Sequence, residues 1–123
     1  MLSGRTVLIV EAQYLVALDL QHTLDQLGPG KVVIALNPGH ARELAKDWVN
    51  CDLAIVEVER ELPEHIALIG ELLRKGIPVI GLTADSGLQR HLNWFAGTPI
   101  LLKPAPSERT LAVLASLFAS QKE

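Results

Sequence analysis

The sequence predicts an α/β domain built on a parallel sheet with helices on both faces. Three observations predict it. Five short β-branched or apolar runs recur along 123 residues, segments of helical periodicity lie between them, and the connecting loops are short. Strict strand–helix alternation of this kind needs right-handed crossovers, and these generate a parallel sheet covered on both sides. A chain of this length suits one domain, 1–123, with one core.

The first run, "RTVLIV" (5–10), is apolar nearly throughout, as a doubly covered strand is. Residues 13–27 then bring Val16 or Ala17, Leu20, Leu24 and Leu27 to one side of a helix, which Gly28 and Gly30 stop. "KVVIAL" (31–36) follows as a strand nearer an edge. In "NPGHARELAKDWV", Asn37 caps a helix, Pro38 suits its first position, and Ala41, Leu44, Ala45 and Trp48 point inward. "DLAIV" (52–56) is a third, apolar strand. "PEHIALIGELLRKG" opens at Pro63, turns Ile66, Ile69 and Leu73 inward, and stops at Gly76 behind a basic last turn. "IPVIGL" (77–82) is a fourth, doubly covered strand. A shorter helix starts from Ser86 with Leu88, Leu92 and Phe95 inward. "PILL" (99–102), flanked by Pro and Lys, reads as a second edge strand. "PSERTLAVLASLFASQ" then forms a helix with Ser107 as its cap and Leu111, Leu114 and Phe118 inward.

Five such units fit a flavodoxin-like (βα)5 doubly wound sheet of order 2-1-3-4-5. In that order the carboxyl ends of the first and third strands are neighbours, at the switch point where such sheets bind ligands. Glu11 follows the first strand and Glu57 the third, so the two should face one another. Thr83 follows the fourth strand and Lys103 the fifth. Two carboxylates, a hydroxyl and an ammonium are therefore expected at one sheet edge.

Composition narrows the function. The chain is 49% hydrophobic and 20% charged, as folded soluble domains are. A net charge of −3 without a Lys/Arg cluster argues against nucleic acid, whose phosphates need a basic patch. No apolar run reaches the ~20 residues of a membrane span. The single Cys51 fits a reducing compartment, and the expected location is cytoplasmic. Enzyme signatures are missing: "EAQY" offers no Gly-rich phosphate cradle, no Ser elbow follows a strand, and Cys51 precedes its strand. Tyr14 is the one aromatic near the switch point, too few for a flavin site. No cofactor and no catalytic residue are expected.

The edge constellation resembles the receiver domain of two-component response regulators, over essentially the whole chain. "VLIVEAQYLVALDL" is similar to the family's opening strand, acidic pair and first helix. "DLAIVEVE" resembles the strand that carries the phosphorylated Asp, "PVIGLTAD" the strand ending in the switch Thr or Ser, and "ILLKP" the strand ending in Lys-Pro. The resemblance implies a protein-interaction module in a phosphorelay. Its defects imply a pseudo-receiver. Glu57 stands at the phosphoacceptor position, and the acidic pair is reduced to Glu11–Ala12. Thr83 and Lys103 match the family, whereas Ile100 replaces the aromatic that accompanies the Thr.

These changes matter chemically. Mg²⁺ demands near-octahedral oxygen ligands, and Ala12 supplies none. Glu57 carries its carboxylate one methylene further out, roughly 1.5 Å. Since an error of ~1 Å costs ~10²-fold in a positioned reaction, ordinary aspartyl-type phosphorylation is not expected. Two readings of Glu57 stay open: a fixed imitation of the phosphorylated state, in reach of Lys103 and Thr83, or a plain ion pair with Lys103. Two alternatives for the whole chain are a weakly or unconventionally phosphorylated single-domain response regulator and a small-molecule-binding flavodoxin-like protein.

No output domain is expected after "SQKE", so the expected partner is a signalling protein, such as a histidine kinase or another regulator, or a second copy. Arg90, His91 and Trp94 turn outward from the fourth helix, and Val113 and Leu117 widen the apolar arc of the last. Arg and Trp dominate binding hot spots, which nominates this face. The competing face is Leu15, Leu18 and His22 on the first helix. His22, His40, His65 and His91 are all expected at the surface, and Glu59 and Glu61 as solvated charges.

Overall fold

A computed structural model of the chain describes residues 2–59, 63–87, 98–104 and 106–121. Its elements are β1 (Thr6–Val10), α1 (Tyr14–Asp25), β2 (Lys31–Ala35), α2 (Pro38–Glu43), α3 (Ala45–Trp48), β3 (Leu53–Glu57), α4 (Pro63–Arg74), β4 (Val79–Thr83), β5 (Ile100–Leu102) and α5 (Ser107–Gln121). All strand pairs are parallel, and their order is β2-β1-β3-β4-β5, the flavodoxin-like order predicted. The helix expected from Leu88, Leu92 and Phe95 lies outside the described residues.

Alternation along the strands divides the core in two. Leu8, Val10, Ala54, Val56 and Val79 face Trp48 and the Leu68–Ile69–Leu72 side of α4. Val7, Ile9, Ile55, Ile80 and Leu101 face Leu20 and Leu24 of α1 and Leu114 of α5. Successive strand side chains point to opposite faces, so apolar residues at every position serve two layers. Every residue of β3 and β4 is buried, whereas the outer strands β2 and β5 keep partial exposure.

Three local expectations need correction. The helix predicted over "NPGHARELAKDWV" is two short helices broken at Leu44, although Asn37 caps the first by accepting the His40 N–H at 2.8 Å. The Trp48 indole donates to the Ala41 carbonyl at 2.6 Å, and the Leu44 N–H also points there. That carbonyl is the acceptor an unbroken α-helix would give to Ala45. On α4 the buried stripe is His65, Leu68, Ile69 and Leu72, with Leu73 exposed. Treating His65 as polar rotated the expected face by one position. Finally, the Pro106 carbonyl, not Ser107, opens α5 by accepting the Thr110 N–H at 3.1 Å, and the Ser107 hydroxyl lies 3.0 Å from that of Thr23, tying α5 to α1.

Two glycines serve defined purposes. Gly76 (φ +78°) follows α4, where its N–H donates to the Leu73 carbonyl and that of Ile77 to Leu72, both at 3.0 Å. This paired closure needs a left-handed residue at its centre. It also explains why β4 starts at Val79 and not at Ile77: the Ile77 N–H is committed to the helix. Gly81 lies opposite Ile100 in the β4–β5 register, and a Cβ there would run into Ile100 Cδ1.

Gly76→Ala should lower stability by roughly 1–2 kcal/mol, the cost of a left-handed conformation for a residue with a Cβ. Urea denaturation of the two chains checks this, and equal midpoints would show that the α4 closure relaxes freely.

Candidate functional site

The sheet itself assembles the site. Val10 pairs with Val56, so Glu11 and Glu57 leave adjacent strands side by side. Backbone bonds extend the ladder past the strand ends: Glu11 N–H donates to the Ala35 carbonyl at 3.0 Å, Val58 N–H to Leu82 at 2.8 Å, and Lys103 N–H to Thr83 at 2.7 Å. Each functional side chain thus starts from a backbone position fixed on its neighbour.

Lys103 reaches back across β4 to the acids. Its Nζ is 2.6 Å from Glu11 Oε1, 2.7 Å from Glu57 Oε2 and 3.9 Å from Glu59 Oε1. The other oxygen of Glu11 accepts the Gln13 N–H at 2.7 Å, and that of Glu57 the Ala12 N–H at 3.2 Å. Glu11 is fully buried, and the Lys103 and Glu57 side chains are each 10% exposed. Glu11 Oε1 makes no well-angled hydrogen bond and depends on the ammonium charge for its compensation.

Burial pulls the Lys103 pKa down, but hydrogen bonds and charge from Glu11 and Glu57 outweigh it and hold the pKa above that of an ordinary lysine. A raised folded-state pKa means that this lysine contributes fully to stability below its unfolded pKa, near 10.4, and that the contribution is lost as pH rises through the folded value.

Thr83 lies one strand away and does not meet Glu57. Its hydroxyl donates to Glu59 Oε2 at 3.3 Å and accepts the Asp85 N–H at 3.1 Å. The Ala84 N–H donates to Glu59 Oε1 at 3.2 Å. Glu59, expected to be a solvated charge, is instead a half-buried third acid of the cluster. A cavity of about 450 Å³ opens beside it, lined by Gln13, Val16, Glu57, Glu59, Lys103 and Pro104 among others.

A divalent ion does not fit this donor set. All four carboxylate oxygens of Glu11 and Glu57 are already engaged by the Lys103 ammonium or a backbone N–H. The Ala12 side chain contributes no oxygen, and a ligand shell on these carboxylate oxygens would compete with Lys103.

The remaining predicted residues fall in different places. Ile100 is half-buried over Gly81. Val113 and Leu117 are half-buried and pack on the core cluster that includes Leu20 and Leu114. Arg90, His91, Trp94 and Glu61 lie outside the described residues. Tyr14, Leu15 and Leu18 are exposed, Leu15 at 81%, and so is His22. His65, expected at the surface, is buried with neither ring nitrogen hydrogen-bonded. Its signal in the sequence was its spacing from Leu68, Ile69 and Leu72, a buried helical stripe that it completes. Burial raises the Cys51 thiol pKa to about 11, which leaves it unreactive.

No protein-family model matches the chain, and no curated protein sequence does. Solved structures do match. They include the REC domain of the PhyR response regulator of Erythrobacter litoralis, at 18% identity over 94% of this chain and 91% of that one, with a TM-score of 0.75. The response regulator TrrA of Thermotoga maritima, solved with Mg²⁺–BeF, is 22% identical over 92% of this chain and 98% of its own, with a TM-score of 0.73. SdrG of Sphingomonas melonis Fr1 is 26% identical over 96% of this chain and 99% of its own, with a TM-score of 0.75. The fold is thus the flavodoxin-like (βα)5 sheet, and its structural neighbours are receiver domains of response regulators.

Lys103→Met should cost roughly 3–5 kcal/mol at neutral pH, because two buried carboxylates lose their counter-charge. Adding Glu11→Gln and Glu57→Gln to that variant should recover much of the loss. Denaturation of the single and triple variants checks this, and a harmless Lys103→Met would mean that the carboxylates find water or another cation.

Proposed function

We propose that the chain is a receiver-like domain, 1–123, of two-component-type signalling that acts through protein contact and does not accept phosphate at Glu57. The observation that carries this reading is the Lys103 ammonium seated between Glu11 and Glu57. A phosphoacceptor needs a free carboxylate oxygen aimed at its donor and a metal to neutralise the transferred group. Here both Glu57 oxygens are hydrogen-bonded, and the cation beside them belongs to the protein. Of the two readings of Glu57, the ion pair is favoured over a phosphate imitation. Phosphate carries about −1.5 to −2 charge and three acceptor oxygens, whereas Glu57 offers two oxygens, and Thr83 is engaged by Glu59.

With the charge relay closed, nothing remains for a kinase to reset, and signalling must rest on which partners the surface binds. That is regulation, not catalysis. Among the described residues no helix is long and apolar enough to cross a membrane, and we assign the domain to the cytoplasm. The partner is a histidine kinase, another regulator or a second copy. Of the two candidate faces, the first helix is favoured. Tyr14, Leu15 and Leu18 project from α1, next to a groove of about 360 Å³ lined by Leu15, Val16, Leu20 and Pro104 among others. Val113 and Leu117 instead spend much of their apolar surface on the core.

Incubation with a small phosphodonor and Mg²⁺ should leave the mass unchanged, and beryllofluoride should not bind. A hydroxylamine-labile phosphate on Glu57 would refute the proposed function.

The two faces separate by mutation. Leu18→Glu should abolish partner capture or self-association, whereas Trp94→Ala should leave it intact. Affinity measurements that instead show a loss of about 2 kcal/mol, near thirtyfold, for Trp94→Ala would move the binding centre to the fourth-helix face.

A further inference from the structure

His65 is the third residue of α4, 6% exposed, with both Nδ1 and Nε2 buried and unpartnered. Buried polar groups are nearly always hydrogen-bonded, so an imidazole with neither nitrogen satisfied calls for an explanation. Packing alone is a weak one, because Leu or Met would fill the position on the Leu68–Ile69–Leu72 stripe without the penalty of burying two ring nitrogens.

The charges around it supply a better one. Four carboxylates act on the ring: Glu57 at the end of β3, Glu64 in its own turn, Glu11 after β1 and Glu59 beyond β3. The ammonium of Lys103 is within 4 Å of three of them, so the cluster beside His65 stays net anionic. From α2 the facing cation is Arg42, which is paired with Glu71 two turns further along α4. β4 contributes the neutral Thr83 at this end. Opposing these carboxylates are burial and the positive end of α4, both of which disfavour an imidazolium at its third residue. Burial is the larger influence, and the ring is held below the ordinary histidine pKa. A proton on His65 would be attracted by the acids and resisted by its enclosure. Water resolves that conflict once the ring leaves its site.

We propose that His65 is a proton-operated latch on the first turn of α4, packed inside while neutral and released on protonation, so that acid loosens that turn. The latch is independent of how Glu57 is used in signalling. Its sign follows from linkage. A histidine with a lowered folded-state pKa leaves stability unchanged well above pH 6.5, and stability falls as pH drops below that value because the unfolded chain binds the proton more readily.

The test is a pH titration of the full chain from pH 8 to 4.5, comparing wild type with His65→Gln, His65→Leu and the exposed control His22→Gln. By NMR, His65 should titrate below His22. The folded-to-unfolded ratio of wild type should drop by up to ~30-fold at pH 5 beyond the drop in His65→Gln, the limit set by a free histidine pKa near 6.5. Amide protection factors at Ile66, Ala67 and Leu68, corrected for the pH dependence of intrinsic exchange, should fall over the same range in wild type and in His22→Gln only. Should His65→Leu fail to fold, His65→Gln and the wild-type titration still decide. A His65 pKa at or above that of His22, or equal pH dependence in wild type and His65→Gln, would overturn the latch.

Discussion

One buried ammonium holds the carboxyl edge of this sheet together. Glu11 and Glu57 leave neighbouring strands side by side, and two carboxylates a few ångströms apart in a low-dielectric setting repel strongly. Lys103 touches both and lies close to a third, Glu59. Its main chain is anchored to Thr83 and its side chain spans β4, so a single residue couples β1, β3, β4 and β5. The pair is costly to desolvate, and replacing such a group with apolar residues is often neutral for stability. Its meaning is therefore less that it strengthens the fold than that it defines what the edge can do. A site whose acid oxygens are already engaged by an internal ammonium and by backbone N–H groups has little left to offer an external cation.

The same edge keeps the backbone frame of the receiver structures it resembles. Backbone register delivers the four positions correctly, because ladder bonds run through Glu11, Val58 and Lys103. What changes is the side-chain reach. A glutamate at 57 is long enough to accept the Ala12 N–H while holding Lys103 at 2.7 Å. The two departures from the receiver pattern are thus coupled in space. Together Glu57 and the Ala12 N–H close a hydrogen-bonded unit.

Most of the fold was legible because the signals are redundant. Five apolar runs and four helix boundaries agree on one topology, and topology then dictates that Glu11, Glu57 and Lys103 converge. What escaped was set by single tertiary contacts. The break at Leu44 depends on where one indole N–H points, and periodicity carries no trace of that. Glu59 looked solvated because nothing in its neighbourhood along the chain announces Thr83 or Ala84, 24 and 25 residues away. His65 was misjudged for a different reason. Residue type outweighed position, although the stripe at 68, 69 and 72 already pointed to a buried place for it.

The surface argues in the same direction as the pocket. The β4–β5 edge of this sheet is pinned on three sides. Ile100 fills the space left open by Gly81, Lys103 is held by two acids, and Thr83 is engaged by Glu59 and Asp85. Releasing any one of these leaves the others in place, so the cost of moving β5 is shared across contacts and no single phosphoryl group is available to offset it. On the proposed reading a partner would meet the exposed side of α1 and the groove beside Pro104, and not a shifted β5. On that reading partners are selected by surface complementarity, and a tension left on this side of the molecule is the buried, unpartnered His65 at the start of α4.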